Sequence, residues 1–433
     1  MAVSGKAPRR TECASRLLPP QNLCRQTASD QRTNPEAALV PATAFAVYIV
    51  QPRGDRGGLA LPPAKPVAAA HTVTVPGRLS SNPPPITYNQ GQIHQTRQEE
   101  SGMRQRKWAL ALLSGLLFLL TGITAATHGQ TARSVRIEKV AYGGWANNLR
   151  ISNGEVELIA TLDVGPRIIR YGFVRGENVF KEYADQLGKS GEKDWQIRGG
   201  HRLWVAPEDE KRTYFPDNVP VAYEERAGRV LLTPPPEPPW GLQKQIEVQL
   251  SPQGTRVEVL HRIRNVGKTA THLAPWALSV MAEGGVEIIP LPPKQSHPQA
   301  LLPNQVLVLW PYFDFTDPRY TFGQQVILLR QDAKRSPTKI GLRHTLGWAA
   351  YANRGALFIK RFHHLPDRTY PDFGVNYETF TNEDMLEMET LGPLVTLKPG
   401  EEVLHTETWE LKPFREKIAN EADALRHVLP LLR

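Results

Sequence analysis

Two glutamates separated by one residue, Glu387 and Glu389 in the run MLEMET, are the carboxylates of this chain best spaced for proton transfer. Successive side chains of an extended strand point to opposite faces, so Leu386 and Met388 take one face and both glutamates the other, about 7 Å apart. Like charges at that spacing raise each other's pKa when partly desolvated, which brings a carboxylate into the range of a general base near neutral pH. The same alternation equally describes a half-buried strand with a solvated polar face.

A second group lies in IRGGHRLWVAPE, where Arg198 and His201 flank Gly199 and Gly200. Paired glycines let the backbone adopt positive φ or approach a ligand closely. The planar arginine fork can hold sugar hydroxyls or an anionic group, and a histidine can donate a proton near pH 7. The competing reading is a salt-bridged arginine, a tight turn and a packed imidazole. Indole rings stack on the C–H faces of sugars, so the tryptophans are candidate platforms. Trp204 and Trp240, beside glycine- or proline-rich loops, are expected in a cleft, and Trp195, Trp276, Trp310 and Trp348 in packing. Asn376 and Glu378, in PDFGVNYETF, are read as polar ligand contacts, with turn and strand duties as the alternative. His363 and His364 are adjacent and would point to opposite faces of a strand, so no metal site is expected there. The chain has no P-loop, dinucleotide fingerprint, GxSxG elbow or HExxH helix, and no cofactor is expected.

The elements that must position these residues are strands. From Ser134 to about Pro413 short alternating runs such as EVELIATLDVG, QIEVQL, TRVEVLHRIRNVG and QQVILLR are punctuated by Gly, Pro, Asn and Asp. Period-two patterning with close turns predicts an all-β antiparallel sandwich over 134–412. Only REKIANEADALRHVLPLL, from Arg415, has helical period, predicting a C-terminal helix or tail over 413–433.

Upstream, MRQRKWALALLSGLLFLLTGITAATHG from Met103 has the form of an export signal: a basic start, an apolar core and small residues at Thr124, Ala125 and Ala126. The expectation is a cleaved signal over 103–126, a dispensable Pro- and Ala-rich leader over 1–102, and an exported, periplasmic or extracellular protein without a stable membrane anchor. The apolar core is short for a bilayer span. The formal charge of +9 then loses its meaning as a pointer to nucleic acid. Residues 1–102 hold 11 Lys and Arg against 6 Asp and Glu, the signal adds three cations, and 127–433 balances 38 against 37. Both cysteines, Cys13 and Cys24, lie in the leader, which removes thiolate and disulfide chemistry from the exported part.

Three longer segments carry a resemblance. IRGGHRLWVAPE, with GPRIIRYGFVRGENVF upstream, His261–Gly285 (HRIRNVGKTATHLAPWALSVMAEGG), and NYETFTNEDMLEMETLGPLVTLKPGEEVLHTETWEL from Asn376 together resemble the galactose mutarotase-like superfamily, closest to its uncharacterised bacterial exported members. The resemblance implies an antiparallel β-supersandwich with a sugar cleft. In such enzymes a glutamate ahead of a Pro-Gly turn takes the proton of the anomeric hydroxyl. Glu387 is the nearer match by its distance to Gly400, with Glu389 second. Arg198 would orient substrate, and Trp204, Glu208, Trp240, Asn376 and Glu378 would line the site. The acid of those enzymes is a histidine on the strand after the Asn-Gly turn. Here Pro275-Trp276 stands at that place, with His272 about 13 Å away at roughly 3.3 Å per residue. His201 would have to supply the acid from another strand. The preferred function is carbohydrate or other small polar ligand binding. An aldose 1-epimerase-like isomerase using Glu387 or Glu389 with His201, and a scaffold without a sugar site, are the alternatives.

Overall fold

The computed structural model describes residues 134–432; residues 1–133, with the expected leader and signal, and Arg433 lie outside the described residues. Within them the chain forms two antiparallel sheets. The first runs, edge to edge, through Arg136–Tyr142, Trp145–Ser152, Val156–Thr161, Arg167–Phe173, Gly200–Ala206, Thr271–Met281, Leu386–Leu391, Tyr377–Thr381, Thr338–Leu342 and Leu307–Leu309, with Val395–Leu397 paired to Thr271–Met281. The second contains Leu242–Leu250, Val257–Asn265 and Glu402–Pro413 among its ten strands. This is the all-β sandwich that the alternation predicts. The helical period after Arg415 yields a helix only over Glu421–His427, with Asn420 and Asp423 in a reciprocal capping box. No helix among the described residues is long and apolar enough to cross a membrane.

Alternation decides which residues face inward. Leu242–Leu250 buries every second residue, beginning with Leu242 and ending with Leu250. Tyr171, Phe180, Phe358 and Trp409 meet in one aromatic knot, with Phe180 5.6 Å from Trp409 in an edge-on contact. The middle strands of the first sheet depart from the half-solvated pattern. Gly200–Ala206 and Leu386–Leu391 are buried along their whole length, because loops cover the outer face as well. The polar face expected for Glu387 and Glu389 is thus a buried one.

Between the sheets runs a fully buried polar network. His201 and His261 meet through their Nε2 atoms at 2.7 Å, Ser279 Oγ lies 2.9 Å from His201 Nδ1, and His261 Nδ1 is 2.9 Å from the His405 carbonyl. A carbonyl only accepts, so His261 donates from Nδ1 and receives at Nε2 from His201, which in turn takes the Ser279 hydroxyl proton. Burial pushes the pKa of all three histidines down, that of His405 to about 3. The imidazoles therefore stay neutral.

Glu287 belongs to the same layer. The hydroxyls of Tyr377 and Thr379 donate to its two oxygens, the latter at 2.7 Å. Burial pushes its carboxyl up to about 8 despite those two donors. A carboxyl whose folded pKa exceeds the unfolded one contributes stability that is complete below the unfolded value of 4.5 and is lost as pH rises toward 8. Glu287→Gln keeps an acceptor of the same shape. It is expected to match wild type at pH 4.5 and to gain about 2 kcal/mol on it by pH 6.5, at roughly 1.4 kcal/mol per pKa unit. Urea denaturation at the two pH values checks this, and a variant that tracks wild type at both would contradict it.

Candidate functional site

The outer face of the first sheet carries the chemistry. Period two places Arg202 and Trp204 there from Gly200–Ala206, Trp276 and Leu278 from Thr271–Met281, Glu387 and Glu389 from Leu386–Leu391, Glu378 and Phe380 from Tyr377–Thr381, and Lys339 from Thr338–Leu342. Loop residues Trp195, Glu208, Tyr214 and Tyr312 wall the space above them. The result is an open cleft of about 290 Å³, at the small end of ligand pockets.

Two stacks of cation, indole and carboxylate form its floor. Arg202 lies between Trp204 and Trp195, its guanidinium carbon 4.1 and 5.2 Å from the ring centres, and donates from Nη2 to Glu387 at 2.8 Å. Lys339 lies between Trp276 and Trp310, with Nζ 4.7 Å from each ring centre. It bonds Glu378 at 2.7 Å and Glu389 at 3.0 Å, and Trp276 Nε1 donates to Glu389 at 2.8 Å. Placing a desolvated cation over indole faces strengthens both contacts.

These stacks leave polar atoms over. Arg202 Nε and Nη1, Trp195 Nε1, Glu378 Oε1 and Glu389 Oε1 are buried and have no protein partner. Buried donors and acceptors without partners are uncommon in folded proteins, and each costs about 1–3 kcal/mol. Donors and acceptors gathered at one cleft are what a polyhydroxylated ligand would satisfy.

The electrostatics follow from burial. Desolvation raises Glu378 well above the usual carboxylate range, with Lys339 opposing and Glu389 and Asp372 adding to the rise. Glu389 also rises through burial, with Lys339 opposing and Glu387 adding. Burial works against the Lys339 charge, but its two glutamates more than offset this and its pKa goes up. One ammonium cannot neutralise two buried carboxylates, so Lys339 keeps its charge and the cluster retains a proton. Burial pushes the Tyr312 hydroxyl on the rim up to about 12.

The structure brings together Glu387, Glu389, Glu378, Trp204 and Glu208 from the residues expected at a site. It does not bring His201, Arg198, Trp240 or Asn376 to it. His201 alternates with Arg202 and so points into the intersheet core, on the opposite face from both glutamates. It cannot serve as an acid in this cleft. Arg198 is spent on loop structure, bonding Glu192, Asn218 and the Gln186 carbonyl. Its neighbour Gly199 has φ +90° and a Cβ there would lie 1.9 Å from the Lys181 carbonyl oxygen, so the glycines admit backbone rather than ligand. Trp240 packs on the core at the start of a second-sheet strand. Asn376 clasps His344, accepting from its N–H at 2.6 Å and donating to its carbonyl at 2.9 Å.

Trp276 and Trp195, expected in packing, line the cleft, and Arg202, Lys339, Tyr214 and Tyr312 were not singled out by sequence. For Arg202 a signal existed: once Trp204 faces a cleft, its i−2 neighbour shares that face. Lys339, in TKIGL, has none, because its partners come from strands 39 and 50 residues away. His272 is exposed and bonds Thr396. His201, His261 and Glu407 form a compact set of metal-type ligands, but Glu407 is already committed to Lys360, Thr390 and Trp409. Its chemistry is that of a hydrogen-bonded core.

Fold and cleft together define an antiparallel two-sheet β-sandwich with an aromatic, carboxylate-floored pocket on one sheet. No family model matches the sequence, and no curated protein does. Among solved structures the chain is similar to the Slr1438 protein of Synechocystis sp. PCC 6803, at 12% identity and TM-score 0.44, covering 64% of this chain and 100% of that one. It is also similar to a putative mutarotase (YeaD) of Salmonella typhimurium, at 12% identity and TM-score 0.42, covering 65% and 97%. A third is a putative aldose 1-epimerase of Escherichia coli K12, at 11% identity and TM-score 0.38, covering 65% and 100%.

Proposed function

We propose that the chain is an exported carbohydrate-binding protein whose ligand lies in the cleft over Arg202 and Lys339. The observation that carries this is the set of unpartnered buried donors on Arg202 and Trp195, which line the aromatic cleft, with further unpartnered oxygens on Glu378 and Glu389, which bond the lining Lys339. Indoles supply the stacking surface for a sugar's C–H face, and the free donors and acceptors match its hydroxyls. Charged groups in the floor argue against a scaffold face closed by apolar side chains. Export rests on the signal-like segment at 103–126.

The test is a thermal-shift screen of the purified protein against mono- and oligosaccharides, followed by polarimetry on each sugar that binds. A sugar-dependent rise in Tm is expected, weakened at least tenfold in apparent affinity by Arg202→Met. Binding that Arg202→Met leaves unchanged would move the site elsewhere, and no shift with any sugar at millimolar concentration would end the reading.

A further inference from the structure

Six of the fourteen large apolar side chains that the described residues leave exposed fall within 301–322: Leu301, Leu302, Leu307, Tyr312, Phe315 and Phe322. They belong to one side of the sandwich, where the first sheet ends in Leu307–Leu309 and the second in Tyr320–Phe322. We propose that this side is the subunit interface of a homodimer, in which Leu307–Leu309 pairs with its own copy across a two-fold axis and joins the two first sheets into one. The interface is independent of what the cleft binds.

The two sides of the sandwich differ in charge. On the far side the edge strands Arg136–Tyr142 and Ala222–Arg226 read RIEKVAY and AYEER, and Lys139 Nζ lies 5.5 Å from the Tyr223 ring centre, across from one sheet to the other. Charged side chains on an exposed edge keep it from pairing with another chain. The edges LVL and YTF carry no charge at all. Setting such an edge beside its own copy therefore brings no like charges together, and a two-fold axis makes the paired strands antiparallel, the sense of the ladders in both sheets. Of the two bare edges the second is partly closed by the C-terminal helix, whose Glu421 accepts from the Gln325 N–H at 2.6 Å and the Val326 N–H at 3.2 Å, just beyond Phe322. Leu307–Leu309 pairs only with Thr338–Leu342, and among the described residues no strand lies along its outer backbone edge.

The side chains there are those of an interface core. Val308 packs on the Trp204–Trp276 cluster and Leu309 on the intersheet core. Alternation puts Leu307 on the Leu309 face, yet it stays 40% exposed. Beside it Phe315, Phe313, Tyr320 and Phe322 form a row with successive ring centres 5.0, 5.3 and 5.5 Å apart. The inner two pack on the core, and the outer two are 68% and 42% open. At roughly 150–250 Å² for a fully open large side chain, the six residues present on the order of 600 Å² of apolar surface. That is most of the ~800 Å² that one partner brings to a standard protein interface, before backbone and polar rim are added. Tyr312 belongs both to this surface and to the wall of the cleft, so the partner stands at the cleft mouth.

Sedimentation velocity of the purified protein over a dilution series tests the interface. A dimer is expected at micromolar concentration. The double variant Leu307→Lys with Phe322→Lys is expected to raise its dissociation constant about a hundredfold or more, because each copy then brings two unpaired charges into the contact. Both substitutions replace exposed side chains, so the far-ultraviolet circular dichroism spectrum should not change. Leu404→Lys, at a comparably exposed leucine on a second-sheet strand, should leave the dimer intact. Hydrogen exchange on the wild-type protein gives a reading that needs no variant: amides of 307–309 should exchange faster as dilution separates the subunits. A monomer throughout the series, as when an upstream segment of the chain or a different protein is what covers this side, would overturn the homodimer. So would a dimer that the double variant leaves intact, association that grows beyond two subunits, or exchange at 307–309 that dilution does not alter.

Discussion

Lys360→Met is expected to lower the stability of the folded chain by about 3–5 kcal/mol, the usual cost of stripping one partner from a buried ion pair. Lys360 and Glu407 are both fully buried between the sheets, with Nζ 3.0 Å from Oε1 and 2.9 Å from the Met388 carbonyl. The ammonium thereby ties the strand carrying the cleft glutamates to the second sheet. Burial lowers the Lys360 pKa while Glu407 works against that. Burial works to raise the Glu407 carboxyl, but the Lys360 ammonium more than offsets this and holds it below the usual carboxylate range. Methionine fills the same space but leaves that carboxylate without its cation. The double variant Lys360→Met with Glu407→Gln retains an acceptor for the Trp409 N–H and turns an amide donor toward the Thr390 hydroxyl, and is expected to recover most of the loss. Urea denaturation of the three variants forms the measurement. A single variant within 1 kcal/mol of wild type would mean that the pair is not ionised in the core.

Lys339→Met is expected to cost a similar 3–5 kcal/mol near pH 8, and much less near pH 5. Its removal leaves Glu378 and Glu389 buried without a cation, where each already has a raised pKa through burial. At lower pH both take up protons and the penalty fades, because groups with raised folded pKa regain their stability as pH falls. Trp276 and Trp310 also lose the ammonium between them, so sugar affinity should fall together with stability at pH 8. Chemical denaturation at the two pH values gives the energy, and ligand-induced thermal shift gives the binding. An equal loss of stability at pH 5 and pH 8 would contradict two-carboxylate pairing as its cause.

Both predictions concern a buried lysine, and neither lysine carried a sequence signal. Glu387 and Glu389 were legible because two residues of one strand obey the local period, which holds whatever the rest of the chain does. Trp204 stood out by its neighbouring glycine-rich loop, and the alternation rule applied from it selects Arg202 over His201. It failed for Arg198, since a turn of three positive-φ residues, Arg198 to Gly200, resets direction before the strand begins. Trp276, expected in packing, is packed in a buried cluster with Trp204 and in addition lines the cleft beside Lys339, a second role that composition cannot reveal.

By itself the sequence determined the class of fold, through alternation and closely spaced turns, and the pairing of two acidic side chains on one strand face. The thiol-free, nearly neutral character of 127–433 is likewise a matter of counting. Only the tertiary structure decided which face is the cleft, because both faces of the central strands are buried and the loops that cover them arrive from distant parts of the chain. It alone brought Lys339 between Glu378 and Glu389. Such contacts depend on register between strands far apart in sequence, and register is set by the packing of the whole sheet rather than by any local spacing.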